Sequence, residues 1–159
     1  MRRAALVTVL LAWTVAVGCA DKKPTAACTT YVVPAGTDLT HPLAQFRRDV
    51  IPVLKLSCTF ASCHGGRAGD LTMTDTDPGG THAALVGVTS PENPTMKLVA
   101  PGDPANSYLM HKIDGDNCTL KAECTNRDCG DTMPQQSDLI DVPRRDTIRR
   151  WIAQGAKND

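Results

Sequence analysis

Large aromatic rings are scarce in this chain: two Trp, two Tyr and two Phe make up 4% of its 159 residues. An apolar content of 42% is enough for a modest one-domain core. With so few rings, however, the centre needs help from a bound prosthetic group or from several covalent staples. Net charge is missing too, with 17 basic groups against 17 acidic ones. Neither nucleic acid nor a strongly acidic partner is therefore expected. There is no internal repeat, no glycine-rich phosphate loop and no pattern suited to a hydrolytic triad. The apolar run from Ala4 to Val17 is too short for an ordinary membrane span.

That run reads as an address. Arg2 and Arg3 give it a charged start, and it ends in Ala16-Val17-Gly18-Cys19. Small residues ahead of a cysteine, with polar Asp21-Lys22-Lys23 soon after, resemble a bacterial lipoprotein signal. Residues 1–18 would then be a signal peptide, and Cys19 would carry lipid. A plain signal peptide with a chance cysteine is the alternative. Several acyl chains on one residue would anchor the protein stably. Residues 19–40, rich in Thr, Ala, Lys and Pro, read as a tether. The expectation is an exported protein held on a bacterial membrane, periplasmic or at the cell surface.

Cys58-Thr59-Phe60-Ala61-Ser62-Cys63-His64-Gly65-Gly66 is the most distinctive stretch. Two cysteines with a histidine directly after the second resemble the haem attachment box of a c-type cytochrome. The usual spacing between the cysteines is two residues, and here it is four. Two thiols would reach the two vinyl groups of one haem, and the imidazole beside the second thiol would face the iron. Gly65-Gly66 would let the backbone leave without crowding the porphyrin. The alternative for these residues is a Cys58–Cys63 disulfide beside an ordinary surface histidine.

Seven cysteines are an odd number for an exported chain. Assigning Cys19 to lipid leaves six. With Cys58 and Cys63 on haem, Cys28, Cys118, Cys124 and Cys129 form an even set suited to two disulfides. Cys28 stands far from the other three, so one bridge is expected to tie the tether back to them. Three disulfides without haem balance equally well. A zinc site from Cys118, Cys124 and Cys129 is a further alternative, at spacings wider than zinc knuckles use.

Along the mature chain the pattern predicts short helices on long loops. The first spans His41 to Lys55, with Thr40 as N-cap and Pro52 kinking or ending it. Thr81 caps a brief helix over His82 to Val86, and proline-rich Ser90 to Gly102 is loop. Asp103-Pro104 opens a helix running to Ile113 with Gly115 as its stop. The polar segment 114–130 carries three cysteines and reads as a disulfide-stapled insertion. A last helix begins at Asp141 and ends at Gly155. Val142, Ile148, Trp151 and Ile152 form its apolar stripe, and Arg144, Arg145, Arg149 and Arg150 cover the rest.

Several pieces in order carry a wider resemblance: Phe46…Val50-Ile51-Pro52-Val53-Leu54, Cys58…Cys63-His64-Gly65, Leu71…Met73, Val99…Pro101-Gly102-Asp103-Pro104…Ser107-Tyr108-Leu109, Met133-Pro134, and Ile148…Trp151-Ile152…Gly155-Ala156. This order is similar to the cytochrome c-like domains of planctomycete and myxobacterial exported proteins. The domain would cover 41–156 as a mainly α, small helical cytochrome c-like fold. The resemblance implies one covalent haem c on Cys58 and Cys63, with His64 and Met133 as the axial iron ligands. It also implies that the tryptophan helix packs across the first helix. Pro134 would stiffen the backbone beside the Met133 thioether. Met110 and Tyr108 read as core, and Met73 and Met96 as residues of flexible segments. His82 or His111 could take the place of Met133.

The expected function is therefore that of a membrane-anchored monohaem cytochrome exchanging electrons with redox proteins of the envelope, rather than an enzyme. The alternative is a haem-free, disulfide-stapled cytochrome-like lipoprotein acting as an interaction module. A redox-enzyme subunit such as a haem peroxidase is disfavoured, because two filled axial positions leave no open site for a substrate.

Overall fold

Pro52 sits where two helical geometries meet. Phe46–Val50 winds as a π-helix and Ile51–Ser57 continues as an α-helix, α1. The wider turn ahead of the proline accommodates a ring that has no amide hydrogen to offer. This helix begins later than the pattern at His41 predicts. Asp38 Oδ1 accepts hydrogen bonds from the Thr40 amide, the Thr40 hydroxyl and the His41 amide at 2.7, 2.7 and 2.9 Å. Residues 38–41 are thereby held in a turn, and the Thr40 side chain is spent there instead of capping a helix.

The computed structural model describes residues 28–159. The expected signal peptide, Cys19 with its expected lipid, and the first part of the expected tether lie outside the described residues. Three further α-helices follow α1: α2 (Pro78–Leu85), α3 (Tyr108–Asp114) and α4 (Val142–Ala153). Among the described residues there are no strands, only isolated bridges such as Val86 with Val99. No helix among them is long and apolar enough to cross a membrane. The coarse expectation of a helical domain with long loops and two disulfides is what the structure shows.

Side chains at the helix starts account for the boundaries. Asp77 caps α2, its Oδ1 accepting from the Gly80 amide at 2.9 Å. Thr81, expected in that role, lies inside the helix and is buried; its hydroxyl donates to the Thr74 carbonyl. Asp103 caps only a single 3₁₀ turn, Pro104–Asn106. The chain then straightens at Ser107, whose hydroxyl donates to the Asp103 carbonyl, before α3 begins. Asp141 caps α4 as its sequence predicts, accepting from the Arg144 amide at 3.0 Å.

The core lies between the first helix and α4. Phe46, Val50, Leu54, Ile148, Trp151 and Ile152 are all almost fully buried. The rings of Phe46 and Trp151 stack with centroids 4.9 Å apart, and the His82 ring meets Phe46 edge-on at 5.2 Å. Such pairs add to the area buried by the rings themselves. The predicted stripe on α4 needs two corrections. Val142 is exposed, whereas Arg145 and Arg149 are buried. Both guanidiniums reach Asp114 at the end of α3, Arg145 at 2.7 Å and Arg149 at 2.5 Å. Both also lie over the ring of Tyr31.

Tyr31 belongs to the segment 28–40, whose composition suggests a tether. Here it is part of the body. Cys28 is bridged to Cys118, the Tyr31 amide donates to Asp116 at 2.8 Å, and Gln154 donates to the Leu39 and Thr40 carbonyls. The second bridge, Cys124–Cys129, closes a short loop inside the insertion. The two differ greatly in reach, spanning 90 and 5 residues of sequence. On loop-closure entropy the long bridge contributes about 4–5 kcal/mol and the short one about 2.

Candidate cofactor site

Cys58 and Cys63 are the two cysteines left unbridged among the described residues. Cys58 follows α1 directly, and its amide still donates to Leu54 in the manner of the helix, at 2.7 Å. The five residues from Thr59 to Cys63 then fold into a tight loop. The Cys63 and Gly65 amides both donate to the Phe60 carbonyl, and the His64 amide donates to the Cys58 carbonyl at 3.1 Å. A four-residue spacing therefore makes no open bight. Its carbonyls fold back onto the glycines: a Cβ on Gly65 would collide with the Thr59 carbonyl oxygen, and one on Gly66 with that of Ala61. The glycine pair is required by the wide loop itself, a role separate from the one its position beside a porphyrin suggests.

His64 opens a 3₁₀ turn over His64–Gly66. Its Nδ1 lies 2.9 Å from the Ala68 carbonyl oxygen and 3.3 Å from that of Leu71. Carbonyl oxygens only accept, so Nδ1 carries the proton and a neutral ring keeps its lone pair on Nε2. This is how a protein orients a histidine that is to act as a ligand.

Cys58, Cys63, His64 and Met133 all line one cavity of about 340 Å³. Leu71, Met73, Leu85, Leu98, Leu109 and Ile113 supply much of its apolar wall. That size is within the range of small-molecule and cofactor sites. Burial pushes the Cys58 thiol up to about 12, with the neighbouring Cys63 adding to the rise. Cys58 is thus a neutral thiol at ordinary pH, unlike the low-pKa thiolates of nucleophilic cysteines.

The rival ligands are engaged elsewhere. His82 Nε2 is 2.8 Å from the Ala156 carbonyl, and its ring is packed on Phe46 and Trp151. His111 has both nitrogens taken, Nδ1 by Asp116 at 2.8 Å and Nε2 by the Ala105 carbonyl at 3.0 Å. Neither ring lines the cavity. The zinc alternative fails because Cys118, Cys124 and Cys129 are all in disulfides.

Met73 needs correction. Expected in a flexible segment, it is 2% exposed and lines the cavity. Its amide donates to the His64 carbonyl at 3.0 Å, so it hangs on the same short segment as the histidine. Met133 comes from a different part of the chain and is tied to α3, its amide donating to the Lys112 carbonyl at 2.8 Å. A group bound between these segments has an imidazole from one and a thioether from the other.

Sequence reasoning missed the polar wall. Tyr108 and Lys112, one turn apart on α3, line the cavity together with Glu92. The Lys112 ammonium donates to Glu92 at 2.8 Å, and the Tyr108 hydroxyl donates to the Cys129 carbonyl at 2.6 Å. Burial pushes the Tyr108 phenol well above its usual range, with the Glu92 charge adding to this. Their one-turn spacing on α3 is the only signal the sequence holds for them. Comparison with protein-family models, with curated proteins and with solved structures finds no match to this chain.

Proposed function

We propose that this protein is a monohaem c-type cytochrome of the cell envelope, carrying electrons between redox partners. The supporting observation is a convergence. Of six cysteines in the described residues, four are bridged and two are free, and the two free ones share a cavity with His64 and Met133. The donor set suits a haem. Two thiols can add across two vinyl groups, an imidazole offers Nε2, a thioether offers sulfur, and the surrounding wall is mostly apolar. When bound there, a haem supplies a one-electron redox couple whose potential depends on its axial ligands and burial.

The chain's own residues have distinct parts in this reading. Cys58 and Cys63 attach, and Gly65 and Gly66 let the loop between them close. Ala68 and Leu71 hold His64 in its tautomer through Nδ1. Leu85, Leu98 and Ile113 keep water from the interior face. Electrons would exchange at the Cys63 edge, where exposed Leu56 and Phe60 flank a shallow groove that also contains Cys63 and Pro134. No substrate is bound or turned over. Lipid on Cys19 would keep this traffic at a membrane, with redox proteins of the envelope as partners.

The test is export in a host with c-type maturation, followed by denaturation and a search for haem on the separated protein. Haem that stays with the wild-type chain, and is lost when Cys58 and Cys63 are both changed to Ser, is the expected result. A haem-free wild type under those conditions overturns the reading and leaves the disulfide-stapled interaction module.

A further inference from the structure

Lys112 pins both ends of the short segment 129–133. Its backbone carbonyl accepts from the Met133 amide at 2.8 Å. Its side-chain Nζ donates to the Cys129 carbonyl at 3.0 Å. That carbonyl takes two more donors, Tyr108 Oη at 2.6 Å and Asn117 Nδ2 at 3.1 Å. A carbonyl oxygen has two lone pairs, so three donors on one oxygen is a dense arrangement.

Fold stability alone gives no reason for these residues. Lys112 is 6% exposed, and a buried charge is costly even beside a partner such as Glu92. An apolar side chain would suit the position better. Asn117 is 2% exposed and leaves its Oδ1 without a partner, which is unfavourable. Its Nδ2, however, spans the Cys129 and Gly130 carbonyls. Gly130 lets the segment settle onto this cluster, since a Cβ there would lie 2.8 Å from Lys112 Nζ and collide with the Glu92 carboxylate. All three features act on the segment that ends in Met133.

We propose that Lys112 and Asn117 are positioning residues that clamp segment 129–133 and so present the Met133 thioether at a fixed place on the cavity wall. The inference rests on the haem reading above. A thioether is a weak donor, and a segment that had to be ordered each time the sulfur binds would lose much of that bond to entropy. The Cys124–Cys129 bridge and the Lys112 and Asn117 side chains together fix the Cys129 end, and the Lys112 backbone carbonyl holds the Met133 end.

The experiment uses Lys112→Met and Asn117→Leu, both close in size to the residues they replace. In haem-bearing protein, both variants are expected to retain covalent haem and to bind cyanide about tenfold faster than wild type, the factor lost with one good hydrogen bond. Asn117→Leu changes no charge, so a fall in its reduction potential reports the ligand and not the local field. If Lys112→Met fails to fold, Asn117→Leu carries the test. Unchanged cyanide entry in the haem-bearing variants overturns the clamp. Should the wild type prove haem-free, the proposed function fails while the clamp remains testable. Hydrogen exchange at the Met133 amide should then be about tenfold faster in the variants, and unchanged exchange overturns it.

Discussion

Arg149 meets Asp114 at 2.5 Å with both side chains more than nine-tenths buried, so α3 and α4 are joined by charge inside the protein. Arg145 makes a second contact with the same carboxylate, and Asp146 a second one with Arg149. Removing the shared partner leaves Arg145 buried without a carboxylate and Arg149 with Asp146 alone. Asp114→Ala is expected to cost about 3–5 kcal/mol, read as a lower urea midpoint. A loss below about 1 kcal/mol would mean that the network is effectively solvated.

A second expectation concerns pH. The hydrogen bond to Asp116 is the main cause holding the His111 imidazolium above its usual 6.5, and burial opposes it. The Asp116 and Asp114 charges and the Ala105 carbonyl face the same ring and also favour the charged form. A folded value above the unfolded one stabilises fully below pH 6.5, and this contribution fades as pH rises through the folded value. Urea midpoints of wild type should therefore fall over that window relative to His111→Gln. Parallel curves for the two proteins would remove His111 as the cause.

The unbridged thiols give a third. In protein made without haem maturation, alkylation under non-reducing conditions should modify Cys63 before Cys58, which is 5% exposed and whose thiol is pushed up to about 12. Peptide mapping should recover Cys28 joined to Cys118 and Cys124 joined to Cys129. A Cys58–Cys63 bridge in that map would count against the site as described.

How far the sequence foretells this molecule depends on how local each decision is. The Asp141 cap and the burial of Ile148, Trp151 and Ile152 are set within one or two turns, and they follow the pattern. The pairing of Cys28 with a distant cysteine follows from counting. Arg145 and Arg149 are different, because a charged residue on an amphipathic helix reads as solvent-facing. Only Asp114, over thirty residues earlier, and Tyr31 from the opposite end of the chain make their burial possible. The same holds at the cavity. Cys58, Cys63 and His64 stand together in the sequence, and Met133 is what the cytochrome resemblance implies. Met73 and Lys112 are legible in neither way, since their burial depends on the His64 carbonyl and on the carbonyl of Cys129.

The ligand assignment supplies a fourth expectation, conditional on the haem reading. A thioether favours ferrous iron more than a second imidazole does. Met133→His should therefore keep covalent haem and lower the reduction potential. Met133→Ala should open the sixth position to cyanide or carbon monoxide. Redox titration and ligand-binding spectra of the three proteins decide the matter. Identical behaviour throughout would take Met133 off the iron, and the buried Met73 would become the next candidate.

The Cys28–Cys118 bridge also sets a leash. Composition alone suggests free chain as far as residue 40, which at full stretch would let the body wander ~70 Å from a lipid on Cys19. With Cys28 sewn to Cys118 and the following residues bound along the body, about nine residues remain, and they span at most ~30 Å. An anchored molecule would then sweep only a thin layer above its membrane. A partner of the proposed carrier would have to come to that layer, and reducing the bridge alone would lengthen the leash by only about three residues, because Asp116 still holds the Tyr31 amide.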